Sequence, residues 1–433
     1  MGSRPLRVLV FCEGATLAHI TRPLALAELL PDTEYEIHLA IPSSFEWVAQ
    51  KFVGTRHYIE CQSSEVFARR LAKGAPLYDY ETLVGYVTDD LALISRVVPD
   101  AVVGDFRISL SVSARLARIP YLAISDAYWS SAHPTRMPMP VLPGTARVPL
   151  ALSGAIFKLL APAVVKLHTW PMSQLRKKFS LPPLSEGLSQ VYQDSDCTMF
   201  ANIPSLFPDV VSINEGRFVG PLSYALPCEV PDWWDSIPPR EECTFICLGS
   251  SGDIGALQCL TDAVCASGKA AIVATAGRAH LPHAPERRRY VADYLPGEIA
   301  CRAASLVISN GGSPMSQLAL SCGVPVLGVP TNMDQFLCMS AIERAGMGAL
   351  VRSDRCSAAT IGAALRRFSA SPDLAQHAAT VYREMDRAAC YANLHASIAS
   401  LCAQQGTRWQ GWVRGRRQYF MCALLLASSS ARA

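Results

Sequence analysis

Three short stretches of the 433-residue chain hold side chains whose types and spacing suit chemistry. The first is Glu13-Gly14-Ala15-Thr16-Leu17-Ala18-His19-Ile20-Thr21-Arg22, where His19 falls at the start of a helix. The positive end of a helix dipole favours the neutral imidazole that a general base needs. The second is Asp105-Phe106-Arg107, directly after Ala101-Val102-Val103-Gly104. A carboxylate that accepts from one imidazole nitrogen leaves the other free to take a proton and stabilises the imidazolium. Taken singly, His19 could bond a backbone carbonyl and Asp105 could cap a helix or pair with Arg107. Together they describe an acid–base pair.

The third stretch is Asn310-Gly311-Gly312-Ser313-Pro314-Met315-Ser316, between the strand Ser305 to Ser309 and a helix that Gly323 is placed to end. Its glycines permit close backbone approach, while Ser313, Ser316 and the free N–H groups of the helix start can receive phosphate oxygens. This describes a diphosphate cradle without a Walker lysine. Gly249-Ser250-Ser251-Gly252 adds further backbone and hydroxyl donors, and Thr331-Asn332-Met333-Asp334-Gln335 sets a carboxylate beside an amide. Asp334 with Gln335 suits adjacent sugar hydroxyls, each a donor and an acceptor, though helix capping also accounts for the Asp.

Such loops need strands to present them. Short β-branched runs alternate with helical stretches: Arg7 to Cys12, Glu36 to Ile41, Ala101 to Gly104 and Tyr121 to Ser125, then Cys243 to Leu248, Ala270 to Thr275, Ser305 to Ser309 and Pro325 to Val329. The alternation predicts an α/β protein with two doubly wound, Rossmann-like parallel sheets facing each other across a cleft. Prolines 221, 227, 231, 238 and 239 crowd the stretch between the two series, broken only by Trp233-Trp234, which is expected to pack on a neighbouring domain. The expected division is 1–221, a linker 222–240, 241–405 with its last helix returning to the first domain, and a tail 406–433. Ligands of parallel sheets sit beyond the carboxyl ends of the strands, so the cleft is the expected site.

Composition narrows the function. Lys plus Arg number 39 against 36 Asp plus Glu, a net charge of +3, but Arg408 to Ala433 hold five Arg and no acid. Residues 1–407 therefore carry 34 bases and 36 acids, a net −2, which speaks against a nucleic-acid partner. Fifteen cysteines, odd in number and nowhere spaced as CxxC, read as reduced core residues. With no signal-peptide pattern at the start, a cytoplasmic location is expected. Val148 to Leu167, interrupted by Pro149, Lys158, Pro162 and Lys166, predicts an amphipathic helix pair, with membrane contact as the lesser alternative. The tail joins an Arg-rich stretch to the apolar Tyr419 to Ala427, a pattern compatible with peripheral membrane contact.

The segment Asn310 to Ser316, with Ala319-Leu320, Gly323-Val324-Pro325 and Asp334-Gln335, resembles the donor signature of GT-B nucleotide-sugar glycosyltransferases, the plant and macrolide types above all and the MurG-like enzymes more distantly. The resemblance runs from Arg7 to Ala399. It implies an inverting, metal-independent hexosyltransferase with His19 as base, Asp105 as its orienting partner, a UDP- or dTDP-sugar as co-substrate and no cofactor. It places Gly249, Ser250, Ser251, Asn310, Gly311, Gly312, Ser313 and Ser316 on the diphosphate, Asp334 and Gln335 on the sugar, and Tyr294 on the nucleobase. Asn310 stands where the family commonly has His, and Leu318 where plant members hold the ribose with Glu, so a dTDP-sugar fits as well as a UDP-sugar. Tyr128-Trp129 through Met137-Pro138-Met139-Pro140 suggest an apolar lining for a small-molecule or lipid acceptor. The competing readings are a nucleotide-sugar epimerase or hydrolase of the same fold, and a degenerate sugar-nucleotide-binding protein.

Overall fold

Val8, Leu9, Val10 and Phe11 are completely buried, as expected of a central strand covered by helices on both faces. A computed structural model describes residues 4–408 apart from 134–136 and 185–186; the tail from residue 409 onward, including Tyr419 to Ala427, lies outside the described residues. Six parallel strands form the first sheet: β1 (Leu6–Phe11), β2 (Tyr35–Ile41), β3 (Thr55–Tyr58), β4 (Ala101–Asp105), β5 (Tyr121–Ser125) and β6 (Cys197–Phe200). Their spatial order is β3-β2-β1-β4-β5-β6. The second sheet holds β7 (Cys243–Cys247), β8 (Ala270–Ala274), β9 (Arg289–Ala292), β10 (Leu306–Ser309), β11 (Val326–Gly328) and β12 (Gly348–Leu350), in the order β12-β11-β10-β7-β8-β9.

Each order reverses direction once, between β1 and β4 and between β10 and β7. At such a switch point the two flanking loops leave in opposite directions and open a crevice. Phe11 lies in register with Gly104, and Ser309 with Cys247, so the paired loops emerge at one level. The predicted His19–Asp105 pair and the glycine-serine turns sit on these four loops.

Seven helices matter to the site: α1 (Ala18–Glu28), α2 (Tyr80–Val97), α3 (Leu150–Lys178), α4 (Leu188–Gln193), α5 (Ser313–Ser321), α6 (Met333–Arg344) and α7 (Arg387–Arg408). Helix α3 corrects the expected helix pair: it is one 29-residue helix with Pro162 and Pro171 inside it. Each proline removes one intrahelical N–H, and here the flanking turns carry the helix past both. Leu394, Ile398 and Leu401 of α7 are buried among the first domain's core residues. Trp233 stacks on His283, ring centroids 5.3 Å apart, and meets Tyr290 of β9, which fastens the Pro-rich stretch to the second domain.

Candidate active site

At the crevice of the first sheet, His19 is the second residue of α1 and its Nδ1 lies 3.0 Å from Asp105 Oδ1 at the end of β4. Phe106 covers the imidazole face to face, with centroids 4.6 Å apart and planes 9° apart. Its backbone is held at φ 61°, a left-handed conformation that a bulky residue adopts only under tertiary constraint. The constraint is the next residue: fully buried Arg107 bonds Asp90 at 3.1 Å, the Glu60 carbonyl at 3.0 Å and Glu13 at 3.4 Å. Burial pushes the Glu13 carboxyl up, with Arg107 opposing it.

Asp105 is itself held by a second cation. Arg22, one turn along α1 from His19, donates from Nε and Nη2 to the two Asp105 oxygens at 2.6 Å and from Nη1 to Asp126 at 2.8 Å. Burial alone would raise the Asp105 carboxyl, but Arg22 and His19 hold it down at about 2. The chain of contacts continues through Asn202, whose Nδ2 reaches Asp126 at 2.9 Å and the Ser313 hydroxyl at 3.2 Å. A buried polar path thus joins the imidazole of one domain to the first residue of α5 in the other.

The second crevice is built around that helix. Gly312 caps α5 without any side-chain cap, so the first-turn N–H groups of Ser313 and Met315 have no partner within the helix, while Pro314 has none to offer. Gly311 holds φ 78°, and a Cβ there would meet Met339 Cγ at 2.7 Å; only glycine fits. Asn310 donates from Nδ2 to Ser251 at 3.1 Å and accepts at Oδ1 from the Gly312 N–H at 2.9 Å. Gly252 packs so closely on it that a Cβ would stand 2.9 Å from Asn310 Cβ. The two sheets meet directly here, because the Leu17 N–H donates to the Ser250 hydroxyl at 3.2 Å.

Comparisons with known proteins agree with this fold. The family model described as Erythromycin biosynthesis protein CIII-like, C-terminal domain matches residues 260–401. A PGL/p-HBAD biosynthesis glycosyltransferase of Mycobacterium tuberculosis (strain ATCC 25177 / H37Ra) is 39% identical over 376 residues, covering 87% of this chain and 88% of that protein. The chain belongs to the GT-B glycosyltransferases. A PGL/p-HBAD biosynthesis rhamnosyltransferase of Mycobacterium bovis (strain BCG / Pasteur 1173P2) is 38% identical over 379 residues, covering 88% of this chain and 84% of that one. Among solved structures, the glycotransferase of kitacinnamycin superposes with a TM-score of 0.67 at 17% identity, covering 93% of this chain and all of its own.

Not every residue expected on the donor or acceptor of this glycosyltransferase faces the cleft. Ser316 is fully buried and bonds Ser309 at 3.1 Å, tying α5 to β10. Gln335 spends its Oε1 on the Thr331 N–H at 2.8 Å and completes a capping box with Asn332 at the start of α6. Tyr128 is fully buried, so it lines no acceptor pocket; its hydroxyl donates to Asp334 at 3.0 Å, and Trp129 Nε1 donates to the same oxygen at 2.9 Å. Burial and the nearby Asp126 push the Asp334 carboxyl up against these two hydrogen bonds. Tyr294 stands at the cleft, its ring tilted against Trp47 of the first domain at 5.3 Å. The Met-Pro segment is a strap across the cleft, with Arg352 bonding the Met139 carbonyl at 2.8 Å and the Val141 N–H meeting the Thr331 carbonyl at 2.7 Å.

Sequence reasoning missed Arg22, Asp126, Asn202 and Arg278. Arg278, just past β8, donates from one Nη1 to the Gly249 and Gly252 carbonyls at 2.9 and 3.0 Å, which sets a cation beside the glycine-serine loop. Asp126 and Arg278 both follow the carboxyl ends of strands, the rule that selected Asp105. Arg22 carried its own signal, lying three residues from His19 on one helix face.

Proposed function

We propose that this glycosyltransferase moves a sugar from a UDP- or dTDP-sugar to a hydroxyl of a small apolar acceptor with inversion at the anomeric carbon. His19 is the general base: Nδ1 is committed to Asp105, so Nε2 takes the acceptor proton as the oxygen attacks opposite the departing diphosphate. The observation that carries this reading is the 3.0 Å His19–Asp105 pair at one switch-point crevice, facing the Asn310–Ser313 turn at the other. Charge that develops on the leaving diphosphate is met by the α5 N–H groups, Asn310 and Arg278, all in place before reaction. Domain closure over the cleft limits water and wasteful donor hydrolysis. Relatives named for PGL/p-HBAD biosynthesis, one of them a rhamnosyltransferase, make rhamnose the first donor sugar to try. Unpaired cysteines suit a reducing compartment, the cytoplasm in this reading.

The test is nucleoside diphosphate release from a panel of UDP- and dTDP-sugars, with and without hydroxyl acceptors, followed by the anomeric configuration of the product. Release that requires an acceptor and yields the opposite anomer is expected; equal release without one would replace the reading by a hydrolase or epimerase. His19→Ala should keep donor binding and lose at least ~10²-fold in turnover. An unimpaired variant removes His19 from the mechanism.

A further inference from the structure

Helix α3 leaves a large apolar surface uncovered. Leu152, Ile156, Leu159, Ala163, Leu167 and Trp170 recur at intervals of four, three, four, four and three residues, which puts them on one helix face, and all six are exposed. Leu159 is 81% exposed, and only 6% of the helix's most apolar 18-residue window is buried. Soluble surfaces rarely tolerate a contiguous stripe of this kind. By length and composition α3 would also cross a bilayer. Its C-terminal turns decide against crossing, because Pro171, Met172, Leu175 and Arg176 are buried in the first domain while Lys158 and Lys166 stand exposed mid-helix. Such a helix lies along an interface with its lysines reaching the headgroups.

Charge says what covers the stripe. From Ala127 to Ser185 the chain has no Asp or Glu and seven basic residues, in a body that is otherwise net acidic. Exposed Arg147, Lys158, Lys166 and Lys177 accompany the apolar face. An apolar stripe whose own segment carries cations and no acid complements an anionic lipid surface. The underside of the same helix leads to the chemistry. Pro171 and Met172 line a small apolar cavity with Tyr78, Ile108 and Tyr192. The Tyr192 ring lies 5.3 Å from Phe106, which stacks on His19.

We propose that α3 seats the enzyme on an anionic bilayer with its exposed leucine and Trp170 face in the headgroup region, so that an apolar acceptor enters the first domain from the membrane beneath α3. The second half rests on the apolar-acceptor reading above; the first does not. Flotation of the full chain with phosphatidylcholine vesicles, with and without phosphatidylglycerol, is the test. The full chain floats with the anionic vesicles and releases at high salt, and Leu159→Glu/Leu167→Glu lowers partition by at least ~10-fold while turnover on a water-soluble hydroxyl acceptor is unchanged. Wild-type protein that stays with the soluble fraction overturns the proposal. So does a double variant that floats like wild type, or an Arg414→Gln/Arg416→Gln/Arg417→Gln variant that alone abolishes flotation. A wild-type dimer that the double variant converts to monomer assigns the stripe to a second copy and overturns it too. Flotation needs no catalysis, so a failed acceptor assay leaves this result standing.

Discussion

At the residue scale, the His19 imidazole is set by what surrounds its partner. Asp105 serves two groups at once, His19 and Arg22, and Arg22 in turn shares itself with Asp126. A carboxylate held at about 2 in the fold favours the folded state fully above its unfolded value near ~3.9 and loses that advantage as pH falls through the folded value. Thermal unfolding between pH 5 and 2 should therefore show ~2 kcal/mol of stability lost over the acid limb, and Asp105→Asn should flatten that limb. Arg22→Met removes one partner of buried ionic groups and should cost about 3–5 kcal/mol in denaturant unfolding, since Asp105 and Asp126 are left facing each other without it. Arg278 is exposed, so Arg278→Ala should leave stability alone and weaken UDP or dTDP binding about 10-fold by calorimetric titration. His19 and Asp105 were legible because each stands at a strand end or helix start, where the chemistry of one residue type is informative. Gln335 and Ser316 carry groups that serve a ligand or a protein partner equally well, and both are engaged by protein partners in this structure. Only the partners at 2.8 Å and 3.1 Å decide between the two uses.

At the element scale, the Asn310–Ser313 turn forms because Gly311 lets β10 run into α5 without a side chain. Gly311→Ala puts a Cβ 2.7 Å from Met339 at a backbone angle of φ 78°. The expected cost is about 1–3 kcal/mol, read in the melting temperature together with lost donor binding. A shortened partner, Gly311→Ala/Met339→Ala, should recover little, because the φ strain stays. The strands that sequence patterning failed to find are the four sheet edges: β3, β6, β9 and β12. An edge strand has one neighbour and a partly wetted face, so it need not be a continuous apolar run. Thr55-Arg56-His57-Tyr58 is mostly exposed and shows no such run at all. The interior strands, buried on both faces, were all visible. Helix α3 was split in expectation by its prolines, whose local cost the surrounding turns absorb.

At the scale of the whole molecule, two domains are joined by side chains as well as by the Pro-rich stretch. Asn202 bridges Asp126 to Ser313, and its Oδ1 accepts the Ala127 N–H at 2.6 Å. Asn202→Ala should leave those buried groups unpaired and cost about 1–3 kcal/mol. It should also split one calorimetric unfolding transition into two as the domains uncouple. The chain's own order of residues determined that there would be two parallel sheets and that His19 and Asp105 would share an edge, because periodicity and strand-end position are local properties. Which groups use up one another's hydrogen bonds was decided only by tertiary structure. Tyr128 and Trp129 lie 206 and 205 positions from Asp334 and meet it across the cleft, as Arg352 meets Met139 from 213 positions away. Local pattern carries no term for such contacts, since they exist only when two separately legible domains are brought face to face.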